Sequence, residues 1–208
     1  MQVPRTSTRG APRRVEVEPG VIVHSDAGRR PAAEQWLLSA HASPGQARRE
    51  WQEQGVTLLP LGTLFSAVRI PGRLVHAVAA TADPREVDAF LEEALEGGPV
   101  ICDPYGPRYY ALVHGSMPTT WRAAAEDWRV HDVACLGHGT YLGVPRLDIA
   151  DCPEHATASY WSVPMPSAAT LCPPLSVARL ISAGAHRMAE DAEMSSPAEG
   201  HPDPVPEP

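Results

Sequence analysis

The chain has 208 residues and a formal charge of −8, and all 17 of its basic residues are arginine. Without a lysine it cannot hold a P-loop lysine, a Schiff-base lysine or the lysine nucleophile of a nucleotidyl transferase. Its length allows one or at most two domains with a proper core.

No apolar stretch reaches the length of a membrane span, and the Arg-rich start lacks the apolar centre of a signal peptide, so a cytoplasmic protein without a membrane partner is expected. Residues 1–30 hold six arginines against Glu16, Glu18 and Asp26 and read as a mobile arm. Residues 189–208 carry six acids, no basic residue and a proline-rich end. Such a segment cannot bury enough apolar surface to offset the entropy of ordering it, so a disordered tail is expected. The folded domain should span 31–188. Cys102, Cys135, Cys152 and Cys172 are spread over a chain large enough to do without staples, so reduced thiols are expected.

Along that domain, Pro31 can occupy the first turn of a helix whose Trp36, Leu37 and Ala40 share a face. Ser43-Pro44 starts a second helix that Gly55 ends. Val56–Leu61 and Thr63–Ile70 read as strands with a turn between them. Asp83-Pro84-Arg85-Glu86 has the arrangement of a capping box and predicts a helix from Pro84 to about Leu95. Pro99–Asp103 and Arg108–His114 predict a hairpin around Pro104-Tyr105-Gly106-Pro107. Thr120 can cap a short helix on which Trp121 and Trp128 share a face. Strand-like runs recur at 132–136, 140–144 and 159–163, and a last helix is expected over 174–188. Strands and helices without a βαβ rhythm, with hairpins between them, argue an α+β fold with a mixed or antiparallel sheet flanked by helices.

Four constellations are candidates for chemistry. Cys135-x-x-His138 and Cys152-x-x-His155 supply two thiolates and two imidazoles, the donor set of a tetrahedral zinc site. Structural sites more often pair Cys with Cys and His with His, so buried cysteines beside surface histidines are the simpler reading. Asp132, Asp148 and Asp151 are candidate carboxylates for a two-metal site, which needs converging oxygen ligands; isolated loop aspartates are usually just solvated. Gly137-His138-Gly139 suits a tight turn better than a phosphate loop, because the glycine spacing is too long and no lysine follows. Arg69 and Arg73, flanking Pro71-Gly72, are the pair placed at a binding edge. Trp36, Trp51 and Trp128 lie in helical patterns where core packing is the ordinary explanation.

Pro31-Ala32-Ala33-Glu34-Gln35-Trp36-Leu37, then Leu58-Leu59-Pro60-Leu61-Gly62-Thr63-Leu64-Phe65, then Gly137-His138-Gly139-Thr140 ahead of Leu142-Gly143-Val144-Pro145 occur in an order that resembles the actinobacterial proteins classed with the N-terminal domain of bifunctional DNA primase/polymerases. The resemblance spans roughly 31–188. It implies a primase-polymerase-like α+β fold whose sheet carries a nucleotidyl-transfer site. Active members hold two divalent cations, Mg or Mn, with Asp-x-Asp or Asp-x-Glu on a central strand, a later histidine and a third acid. This chain departs from that pattern: the Thr63–Ile70 run contains no acid, and Ser66 is a poor substitute for a carboxylate at magnesium. The resemblance therefore implies a catalytically degenerate domain that binds nucleotide or DNA near Arg69, Arg73 and His138. The alternative from another class is a non-catalytic interaction or regulatory protein that binds a protein partner through its acidic tail or the groove of the old site.

Overall fold

The structure is a computed structural model that describes residues 14–18, 21–24, 26–150 and 158–195. It is an α+β arrangement built on antiparallel sheets. Within the stretch expected to be a mobile arm, β1 (Arg14–Glu18) pairs with β2 (Val21–His24) as an antiparallel ribbon. The β-branched residues Val15, Val17, Val21, Ile22 and Val23 favour that extended chain.

Helix α1 (Asp26–Leu38) begins five residues before the expected start and carries Pro31 inside it. The proline costs one backbone hydrogen bond there. Helix α2 (Pro44–Gln54) ends as expected at Gly55, whose φ of 74° is a left-handed cap and whose N–H bonds the Trp51 carbonyl. Strand β3 (Val56–Pro60) and strand β4 (Phe65–Pro71) follow. They do not pair with each other, because each finds a distant partner.

Helix α3 (Gly72–Ala79) lies in a stretch for which no element was expected. It starts directly after β4, with Gly72 donating to the Pro107 carbonyl at 2.7 Å. A Cβ on Gly72 would stand 2.6 Å from Pro107, so only glycine lets the helix start this close to the hairpin. Helix α4 (Pro84–Ala94) has Asp83 as its N-cap, accepting from the Arg85 and Glu86 amides. Strands β5 (Val100–Asp103) and β6 (Arg108–His114) form the predicted hairpin.

Two short helices, α5 (Met117–Thr120) and α6 (Arg122–Asp127), lead into a tight 3₁₀ turn over Trp128–His131. Thr120 is not the cap of the second; Trp121 holds that position, and Thr120 bonds back to Ser116. The Trp121 and Trp128 rings do meet, with centroids 6.5 Å apart. Strands β7 (Ala134–Leu136), β8 (Tyr141–Pro145) and β9 (Tyr160–Val163) precede α7 (Pro174–Ser195).

Helix α7 extends seven residues into the segment expected to be a disordered tail. Helix-forming Ala and Glu residues continue there. Glu190, one turn on, meets His186 at 3.4 Å and Arg187 at 3.5 Å. Residues 196–208 lie outside the described residues.

The main sheet has five strands in the order β7-β4-β6-β5-β9, all antiparallel neighbours. Val68 and Ile70 of β4 bury against α3, α4 and α7. Phe65 and Ala67 bury against α1, α2 and the separate β3-β8 ribbon. Both faces are covered, which is why β4 and β6 read as near-continuous apolar runs rather than as alternating ones. No helix among the described residues is long and apolar enough to cross a membrane.

Candidate functional site

Strand β4 is buried from Phe65 to Val68 and first meets solvent at Arg69. Its register sets Arg69 opposite Tyr110 and Pro71 opposite Arg108 on β6. Directly opposed residues in an antiparallel pair share a face, so Arg69, Pro71, Arg108 and Tyr110 lie together at one end of the sheet. The chain then turns into α3, whose first turn carries Arg73. Asp132, which ends the 3₁₀ turn, lies two residues before Ala134 of the edge strand β7, which pairs with Arg69. Arg69, Pro71, Arg73, Arg108 and Asp132 line one cleft of about 230 Å³.

The charges in this cleft are unequal. Arg73 is ion-paired with Asp132 and donates a second bond to the His131 carbonyl at 2.9 Å. Arg69 and Arg108 make no ion pair among the described residues. Tyr110 beside them has its phenol pushed above the ordinary value, first by burial and then by Asp103, with Arg108 and Arg69 pulling it back. The cleft can therefore take an oxyanion on planar guanidinium forks, a geometry suited to carboxylate or phosphate.

The residues singled out in the sequence divide between this cleft and other places. Arg69, Arg73 and Asp132 meet here. His138 does not: β7 pairs Ala134 with Arg69 and Leu136 with Ala67, so the strand runs away from the cleft. His138 follows in the turn after β7 and is not among the residues lining the cleft. There it is exposed, and its backbone leaves no room for a side chain at Gly62.

Asp148 lies after β8 and is held by Arg146, with Arg30 a further 3.7 Å contact. The hydrogen bond from Arg146 draws its carboxyl below the usual range. Asp132 and Asp148 are thus each taken by an arginine, and Asp151 lies outside the described residues. Cys135 is half-buried on β7 in a second cleft of about 300 Å³, beside Arg129 and an Arg122–Glu126 pair. Burial pushes its thiol up to about 11. Cys152 and His155 lie outside the described residues. Among the described residues no group of three or more His, Cys, Asp or Glu side chains converges as metal ligands would.

Arg108 is the cleft residue that the sequence reading missed. Its position as the first residue of a predicted strand was legible, but its pairing with Pro71 depends on a register between distant segments. The tryptophans pack as expected: Trp51 and Trp128 are buried, and Trp36 stands 5.8 Å from Phe65. Compared with protein-family models, curated proteins and solved structures, the chain matches none.

Proposed function

We propose that the chain is a cytoplasmic domain of primase/polymerase-like descent that has lost nucleotidyl transfer and keeps a phosphate-binding cleft for nucleotide or nucleic acid. The observation that carries this reading is the convergence of Arg69, Arg73 and Arg108, from β4, α3 and β6, on one small cleft. In a chain of charge −8, two of those three arginines stand without an acid partner among the described residues. Pockets for whole small molecules run from about 300 Å³ upward. A cleft of about 230 Å³ suits a phosphate group with its sugar and base left outside.

The loss of chemistry rests on the strands. The five-stranded sheet carries one acid, Asp103 at the end of β5, and its Oδ1 accepts the Tyr105 amide at 3.1 Å to shape the hairpin turn. Two-metal phosphoryl transfer needs converging carboxylates, and this sheet offers no such pair.

The test is anisotropy titration of labelled single-stranded DNA and of a nucleoside triphosphate at low salt. Binding should weaken as salt rises, and should fall about tenfold or more in Arg69→Ala and Arg108→Ala, the loss of a charged hydrogen bond or two. Primer extension with manganese should stay absent. Lack of binding at low salt would remove the reading. Extension that disappears on replacing Asp132 or Asp148 would overturn the loss of catalysis.

A second reading, a non-catalytic interaction protein, is favoured by one feature. The outer face of the β3-β8 ribbon leaves Leu58 60% and Tyr141 65% exposed. Loss of a protein partner in Leu58→Asp, with phosphate binding intact, would support it.

A further inference from the structure

Asp132 is the one acid in a cleft otherwise shaped for an anion. Its backbone has φ 62°, the left-handed region that non-glycine residues enter at a cost. Its N–H closes the 3₁₀ turn on the Arg129 and Trp128 carbonyls. The carboxylate is ion-paired with Arg73 and, among the described residues, makes no ion pair with Arg69 or Arg108.

The pair is also easy to open. The side chain of Asp132 is 70% exposed and that of Arg73 45%, and exposed ion pairs contribute only about 0.2–1 kcal/mol. Arg73 also donates to the His131 carbonyl at 2.9 Å, a second anchor that does not involve the Asp132 carboxylate. Only the carboxylate has to rotate out, into solvent it already touches.

We infer that Asp132 is a resident substitute for the ligand: its carboxylate occupies the oxyanion position on Arg73 in the empty cleft, and an incoming phosphate displaces it. This rests on reading the cleft as a phosphate site. Asp132 then sets the affinity of the cleft by competition for Arg73. A phosphate close to doubly charged at neutral pH, with three acceptor oxygens, can engage Arg69, Arg73 and Arg108 together, whereas Asp132 satisfies Arg73 alone.

Calorimetric titration of the full chain with inorganic phosphate and with adenosine monophosphate tests this. Asp132→Asn is the first variant, and Asp132→Gly, which suits the left-handed backbone at least as well, guards against a folding artefact. Both should bind phosphate about five-fold more tightly than the natural chain, the upper end for releasing an exposed pair. The gain should vanish in the Arg73→Ala background, because the competition is for that guanidinium. Unchanged or weaker binding in both variants would overturn the inference and leave the phosphate site standing. So would an equal gain with and without Arg73, which would indicate mere charge repulsion. Failure of the natural chain and of every variant to bind would overturn both.

Discussion

The indole nitrogens of Trp51 and Trp161 donate to the carbonyls of consecutive residues, Val144 at 2.8 Å and Pro145 at 3.0 Å. Trp51 belongs to α2 and Trp161 to β9, so the end of β8 is held from a helix and from an edge strand of the main sheet at once. Both rings are buried, at 2% and 0% exposure, and both belong to the same apolar cluster. Replacing either by Phe removes a buried hydrogen bond, which costs about 0.5–1.5 kcal/mol. Because the two anchors share one short segment, the double variant should lose less than the sum of the singles. Urea unfolding of the four proteins measures this; strict additivity would mean that the two bonds act independently.

A closer packing constraint joins α3 and α7. Gly184 is buried where α7 crosses α3, and a Cβ there would stand 2.7 Å from the Leu74 carbonyl oxygen and 3.1 Å from the Leu74 Cβ. Alanine gains about 1 kcal/mol over glycine in helix propensity. Overpacking against backbone costs about 1–3 kcal/mol. The clash is with a carbonyl that cannot rotate away, so Gly184→Ala should lose about 1 kcal/mol net, read from the urea midpoint. A more stable variant would show that the helices can part freely.

Asp83 caps α4 through Oδ1, which accepts from Arg85 at 3.0 Å and Glu86 at 3.1 Å. The return half of the capping box is relayed: Thr81 Oγ1 donates to Glu86 at 2.6 Å and accepts the Asp83 amide at 3.1 Å. Asp83→Ala should cost about 1 kcal/mol. Thr81→Val should cost less, because its contacts are exposed and water can replace them. Equal losses would mean that the relay, rather than the cap, holds the first turn.

These cases show how much was legible from residues alone. Asp83-Pro84 marks its helix because the cap, the proline and the glutamate all act within one turn. The β5-β6 hairpin was legible for the same reason, since Pro104–Pro107 sits between two apolar runs. By contrast, β3 and β4 are neighbours in sequence but belong to different sheets, and only the distant β8 and β6 decide that. Helix α3 was hidden because it follows β4 without a break, its start held by the Pro107 carbonyl of a hairpin distant in sequence that accepts the Gly72 amide. The cleft divides in the same way. Arg69 and Arg73 were legible as an edge beside Pro71-Gly72, whereas Arg108 and Asp132 join them through strand register and the end of a 3₁₀ turn.

Asp88 gives the pH dependence. It is a half-buried carboxyl on α4 that accepts hydrogen bonds from Ser162 and from Tyr160, the latter at 3.3 Å. Burial raises it from the ordinary 3.8 to about 6, opposed by those two hydroxyls and assisted slightly by Asp83. A folded-state value above the unfolded one means that the folded chain binds the proton more tightly. The stability this contributes is complete below about 3.8 and is lost as pH rises through about 6. Asp88→Asn keeps an Oδ1 acceptor for both hydroxyls and cannot ionise. Relative to the natural chain it should therefore gain stability between pH 4 and 7, by about 1 kcal/mol once solvent screening of a partly exposed group is allowed for. Glu50 and Asp148, held low by Thr57 and Arg146 respectively, change in the opposite sense in both proteins and cancel from the comparison. Thermal unfolding of the pair at half-unit pH steps reads the difference directly; a constant offset across that range would mean that Asp88 ionises as an ordinary surface carboxylate.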